Sequence, residues 1–330
     1  MAAAELYRAM QTTARIALTL ALGLAACGGP SSTPTVAGPA SVLLQQRAVQ
    51  ATPDHGPSWM RDRAKSGALL YVSDTESGDV YVFDYPKGTR AGTLTGLTDP
   101  GGECVDAKGN VFVTNTGGST VVEYARGASK PSTRLKDPGY FPIGCAIDPK
   151  TGNLAVTNFS SNSSAAGNIV IYKHAKGKPA EAYSDANTPE FLLCGYDDKG
   201  NLFADGLTSA SGFSLDEIPA GQNAIVSVAL DKGIGNPGAV QWDGKFLAVG
   251  DQSDNVVDRF AISAGKGTFQ DSTALKHAVA IFQFWIQRGS IIGPDSGTGS
   301  VEIWNYPAGG KPTKTIRGLY APLGAVVSNP

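Results

Sequence analysis

The chain has 330 residues, 27 Lys and Arg against 29 Asp and Glu, a net charge of −2 and only 17% charged residues. That near-neutral balance offers no cationic field for a polyanion, so nucleic-acid binding is set aside. No Gly-x-Ser-x-Gly elbow, phosphate loop or His-Glu-x-x-His motif is present, and none of His55, His174 and His277 has a metal-ligand partner at close spacing.

The first 27 residues carry a separate message. Arg8 and Arg15 precede an apolar stretch at 16–22 that is too short to span a bilayer, followed by small residues. This is the layout of a secretory signal peptide. Leu24-Ala25-Ala26-Cys27 resembles the bacterial lipoprotein box, which implies lipidation of Cys27. It also implies an anchor in the cell envelope, on the outer side of the cytoplasmic membrane or in the outer membrane. Ordinary secretion with a coincidental cysteine is the alternative. Residues 28–66, rich in Gly, Pro, Ser, Thr and Ala, read as a flexible tether. Trp59 and Met60 are expected to pin its end to the following domain, residues 67–330.

Within that domain one pattern occurs six times. Short apolar runs end at Asp74, Asn115, Asn158, Gly206 (beside Asp205), Asp251 and Asp295, at steps of 41, 43, 48, 45 and 44 residues. A second apolar run follows each, then a turn of one type: Pro86-Lys87-Gly88, Ala125-Arg126-Gly127, Ala175-Lys176-Gly177, Pro219-Ala220-Gly221, Ser263-Ala264-Gly265 and Pro307-Ala308-Gly309. Each unit closes on a strand, four of the six opened by glycine at Gly102, Gly144, Gly238 and Gly324. The first five of these strands lead into hairpins such as Lys108-Gly109-Asn110 and Asp243-Gly244-Lys245. Four short strands per unit at this period predict an all-β six-bladed β-propeller. The sixth unit has no hairpin, because the chain ends at Pro330. The terminal strand is therefore expected to become the innermost strand of the first blade and close the ring.

Three further cysteines fall on predicted innermost strands of consecutive blades. Counted from the Asp that ends each strand, Cys104 and Cys145 point to opposite faces, and Cys145 and Cys194 to the same face. A Cys104–Cys145 disulfide between neighbouring blades, with Cys194 free, follows as an expectation; three buried thiols are the alternative.

The strand order also sorts the loops. Loops after the second strand, and loops entering the innermost strand, share one end, called the top here; hairpins and Gly turns share the bottom. Lys87, Lys108, Lys150, Lys199, Lys245 and other cations fall at the bottom, Asp74, Asp205, Asp251 and Asp295 at the top. Two readings stay open: a basic face toward anionic lipid or polysaccharide with an acidic mouth left for a cation or polar ligand, or residues that simply favour turns. Glu103 is unusual, a carboxylate on an innermost strand where other copies carry Cys, Ala or Phe. Glu103, Asn158, Asp205 and Asp251 form the candidate Ca²⁺ set, as oxygen donors converging on a ring axis. Calcium is the one cofactor considered.

Residues 102–115, Gly-Glu-Cys-Val-Asp-Ala-Lys-Gly-Asn-Val-Phe-Val-Thr-Asn, and the matching run at 145–158 resemble the NHL-type propeller repeat. The resemblance extends over most of 69–330 and is nearest to bacterial lipoproteins of unassigned function. It implies fold more than activity, because propellers host binding proteins and enzymes alike. The expected function is a monomeric, non-enzymatic module on the bacterial envelope, binding a protein, peptide or glycan at its top face. The alternatives are a Ca²⁺-dependent lactonase-like hydrolase similar to the gluconolactonase propellers, and a structural envelope component. Specificity is expected at Glu103 and in the irregular fourth and fifth copies, at 209–213 and 268–277.

Overall fold

A computed structural model describes residues 56–62, 66–163 and 166–330. Cys27, the signal segment, most of the tether and His55 lie outside the described residues. The strands form six sheets of four or five strands, each built outward from an innermost strand. No helix among the described residues is long and apolar enough to cross a membrane.

Blade 2 (Pro100–Val105, Val111–Asn115, Thr120–Tyr124, Pro131–Lys136) and blade 3 (Tyr140–Ile147, Leu154–Ser161, Ala166–Tyr172, Glu181–Tyr183) are plain four-stranded meanders. Blade 4 (Glu190–Tyr196, Leu202–Leu207, Phe213–Ile218) ends on a two-residue outer strand, Val226–Ser227. Blade 5 (Pro237–Trp242, Leu247–Asp251, Val256–Ser263, Lys266–Ala274) gains a fifth, parallel strand, Ala229–Leu230. Blade 6 comprises Trp285–Gln287, Ser290–Asp295, Ser300–Asn305 and Lys314–Arg317.

Blade 1 joins both ends of the described chain. Its strands Leu69–Asp74, Asp79–Asp84 and Thr89–Leu94 receive Pro322–Ser328 as the innermost strand and Trp59–Met60 as the outermost. The ring is thus a six-bladed propeller closed by the C-terminal strand. The outermost strand falls inside 28–66, so the ring takes up the last part of the segment read as tether.

Both faces of every blade are covered by a neighbour, which explains why the second strands are apolar without interruption. Leu69 and Tyr71 pack into the layer shared with blade 2, whereas Leu70 and Val72 pack into the layer shared with blade 6. The two-residue alternation of a strand therefore feeds two cores instead of one core and solvent. The repeated bottom turn has one backbone requirement, met by Gly88, Gly127, Gly177, Gly221, Gly265 and Gly309, all between +66° and +75° in φ. L-residues other than glycine seldom adopt that conformation.

The glycine that opens the innermost strand has a different role. A Cβ on Gly102 would sit 2.7 Å from the Ile143 carbonyl oxygen, one on Gly144 2.6 Å from that of Leu192, and one on Gly324 2.7 Å from that of Gly101. These glycines let adjacent innermost strands touch backbone to backbone. At the same level, hydroxyls on the second strands tie each blade to the next. Ser73 Oγ donates to Gly101 O (2.5 Å), Thr114 Oγ1 to Ile143 O (3.3 Å) and Thr157 Oγ1 to Leu192 O (2.6 Å).

Blade 6 departs from the sequence reading. Its closing strand reads in the sequence as beginning at Ala280, but the innermost strand is Trp285–Gln287, and Ile281 makes only an isolated bridge to Asp295. The reason is that the chain here bonds to the closing blade. Gln283 N donates to Leu323 O, and the Gln283 side chain crosses blade 1 to reach blade 2. Its Oε1 accepts from Glu103 N (3.0 Å) and Ala325 N (3.2 Å), and its Nε2 donates to Glu103 O (2.8 Å). One buried amide thus bonds blades 1 and 2 to blade 6. Gln283→Ala is expected to cost about 2–3 kcal/mol in a denaturant titration, because it strands three buried backbone groups.

Candidate functional site

The acidic marks that open the top face are structural. Asp74 accepts from Ser77 N, Tyr320 N and Ala321 N; Asp251 from Gly235 N, Asn236 N and Ser253 N; Asp295 from Val279 N, Ala280 N, Gly297 N and Thr298 N. Each carboxylate pins the loop that enters the innermost strand of its own blade. Asn115 Oδ1 does the same for Thr98 N (2.6 Å).

Asp205 occupies the register position of Ser73, Thr114 and Thr157. It reverses the polarity of their tie, accepting from Leu193 N (2.7 Å) and from Ala239 N of the next blade (3.1 Å). Burial pushes its carboxyl up to about 7, opposed by these N–H donors. Asn158 donates through Nδ2 to Asp137 and to Asn168. The four residues of the Ca²⁺ set are therefore not brought together. Asp205 and Asp251 spend their oxygens on backbone N–H groups, Asn158 lies in a side-chain network at the top of blade 3, and Glu103 lies on the innermost strand of blade 2. Among the described residues no cluster of three or more His, Cys, Asp or Glu is placed to hold a metal ion.

The bottom face has a similar local origin. The backbone N–H groups of Lys108, Lys150, Lys199 and Lys245 donate to Asp106, Asp148, Asp197 and Asp243, each two residues earlier. The hairpins therefore select Asp at these positions, and the bottom carries acids beside its bases.

Glu103 stands apart. It is fully buried, and neither carboxylate oxygen has a hydrogen-bond partner. Burial raises its pKa well above 4.5. The unfolded chain ionises first as pH rises, so the stability contributed by the neutral acid is complete below about pH 4.5 and is lost toward the raised folded value. Glu103→Gln holds the site neutral at every pH. Its melting temperature is expected to match the wild type near pH 4 and to exceed it by a margin that widens with pH. A constant margin would contradict the burial of an unpaired acid. Glu302, in blade 6, is likewise pushed up to about 7, by burial and then by Asp295, with Arg317 opposing.

Cys104 and Cys145 form a disulfide between blades 2 and 3, with a Cα separation of 5.6 Å, and Cys194 is a buried free thiol. Glu103, Cys194, Tyr196, Gln241, Trp242, Gln283 and Trp285 line an axial cavity of about 150 Å³.

At the top, blade 3 has the longest inner hairpin. Its first two strands run eight residues each and pair as far as Tyr140 with Ser161. Tyr140 and Phe141 are half-buried there, and Phe141 stacks on Phe159 with centroids 5.6 Å apart. This raised aromatic edge was not singled out in the sequence. Of the irregular segments, 209–212 forms a top loop of blade 4 and Phe213 opens its third strand, whereas 268–274 lies in an outer strand of blade 5. His277 is exposed at the top, and His174 sits in a bottom turn with Nδ1 3.0 Å from Thr151 O.

The sequence matches no protein-family model and no curated protein. Solved structures share its architecture. A chain of the nidogen/laminin complex superposes with a TM-score of 0.65 at 14% identity, over 79% of this chain and 98% of that one. A protein of unknown function from Bacteroides caccae gives 0.61 at 12% identity, and a functionally unknown protein from Desulfotomaculum acetoxidans DSM 771 gives 0.54 at 12%. Each covers 79% of this chain and 99% of its own. At these identities the likeness concerns the fold.

Proposed function

We propose that this propeller is a non-enzymatic binding module, lipid-anchored through Cys27 on the bacterial envelope, that takes a protein, peptide or glycan on its top face. One observation carries the reading. The carboxylates around the top are spent on holding loops, while the blade 3 hairpin lifts Tyr140 and Phe141 to its edge. Aromatic side chains with partial exposure supply contact area at low entropic cost, and such residues dominate binding hot spots. The NHL-type resemblance and the lipobox at 24–27 support the envelope setting. The neighbour from a nidogen/laminin complex supports a propeller at work within a protein–protein assembly.

The test is capture from envelope extract, peptide libraries and glycan arrays by the immobilised full chain. Tyr140→Ala is expected to lower affinity for the captured ligand by ~10-fold or more, with the melting temperature unchanged. Turnover of a lactone panel, or undiminished capture by the variant, would overturn the reading.

A further inference from the structure

The axial cavity combines features that the top-face reading leaves unused. Down the innermost strands, Glu103, Cys145, Cys194, Val240, Phe284 and Ala325 make a fully buried level. Toward the hairpin end, Val105, Ile147, Tyr196, Trp242, Trp285 and Ile286 are all half-buried. Exposure thus increases toward the bottom, so the cavity opens there and closes on Glu103.

Its polar side chains are few and mostly engaged. Gln283 Oε1 is taken by two backbone N–H groups, and Gln241 Oε1 by Ile286 N at 2.7 Å. The buried side-chain groups of the wall without a partner are the Glu103 carboxylate, at both oxygens, and the Trp242 Nε1–H. Beside them stand three aromatic rings from consecutive blades: Tyr196, Trp242 and Trp285. Calcium needs six to eight oxygen ligands, which this wall does not supply from its side chains. An organic ammonium needs one counter-charge and π faces, which it does. At about 150 Å³ the cavity admits a few heavy atoms, well below the ~300 Å³ at which drug-sized sites begin.

We propose that the axial cavity is a binding site for a small organic ammonium ion, entering from the hairpin end, with its nitrogen paired to Glu103 and its alkyl groups against Tyr196, Trp242 and Trp285. The Trp242 indole N–H is left to donate to an oxygen on the same ligand. Cys194 and Tyr196 in the cavity wall, and Tyr71 in the core layer within electrostatic reach of Glu103, are all pushed up by burial and stay neutral. Glu103 is the only one of them that supplies negative charge, and pairing it with a cation displaces its proton.

The test is calorimetric and tryptophan-fluorescence titration of the full oxidised chain with tetramethylammonium, choline and butylammonium chlorides, with neopentyl alcohol as an uncharged analogue and CaCl₂ as a metal control. The expected result is saturable one-to-one binding of at least one ammonium with a change in indole emission. Glu103→Gln, which keeps shape and removes charge, should weaken it by ~10-fold or more, and Trp242→Leu similarly. Tyr140→Ala should bind the ammonium as the wild type does, which separates this site from the top face. No saturation by any of the three cations up to about 10 mM, equal binding of neopentyl alcohol, or an unaffected Glu103→Gln would each overturn the proposal.

Discussion

Asp74→Ala is expected to lower the free energy of unfolding by about 3–5 kcal/mol. The side chain is fully buried and accepts from Tyr320 N at 2.7 Å and from Ser77 N and Ala321 N at 3.1 Å. Each stranded N–H forfeits a charge-assisted bond and is left without solvent, at about 1–3 kcal/mol apiece before relaxation. Two of the donors lie 246 and 247 residues away in sequence, at the entrance to the strand that closes the ring. Asp251 also accepts from three N–H groups, but its partners lie no more than 16 residues away, in the connection between blades 4 and 5 and in blade 5 itself. Asp251→Ala should therefore lower stability and leave closure intact. Asp74→Ala should do both: shift the melting temperature down by roughly 10 °C and expose the last residues, 319–330, to limited proteolysis. Equal losses and equal proteolysis in the two variants would show that Asp74 caps a loop and nothing more.

That contrast shows what was legible in the sequence. The six blades were, because each rests on local signals: apolar runs of strand length, a bottom turn that requires a positive-φ glycine, and hairpins built on Asp-x-Lys or Gly-Asn. The closure was legible too, since a repeat that lacks its last hairpin leaves one innermost strand to be shared. The pairing of Cys104 with Cys145 followed from alternation along neighbouring strands. The roles of the polar residues did not follow, because their partners are set by ring geometry. Asp251 reaches back to Gly235, Asp205 takes the place of a hydroxyl tie, and Gln283 reaches Glu103 across 180 residues. A carboxylate serving backbone N–H groups and one serving a metal look alike in sequence. For the same reason Glu103 was singled out as unusual and grouped with acids that are spent elsewhere: its backbone is held by the Gln283 amide, and its carboxylate oxygens have no partner.

Reduction of the Cys104–Cys145 bridge is expected to cost about 4 kcal/mol, the chain-entropy value for a closed loop of this size; the cysteines lie 41 residues apart. Both sulfurs sit in the layer between blades 2 and 3, against Phe112, Leu154 and Val156, so a Cys104→Ala, Cys145→Ala pair adds a packing loss to the loop term. Reduction alone keeps the packing and isolates the bridge. A urea titration of oxidised and reduced wild type should separate by the loop term, with Cys194 unreactive toward thiol reagents until the chain unfolds, since burial keeps its thiol protonated. The bridge also has a place in the functional readings. Cys104 adjoins Glu103, and Cys145 lies on the strand that begins at Tyr140 and Phe141. It therefore ties the strand holding the axial acid to the strand holding the raised aromatic edge. Reduction under native conditions should weaken ammonium binding in the cavity and ligand capture at the top together. If only stability changes, the bridge is a staple between blades and the two sites are mechanically independent.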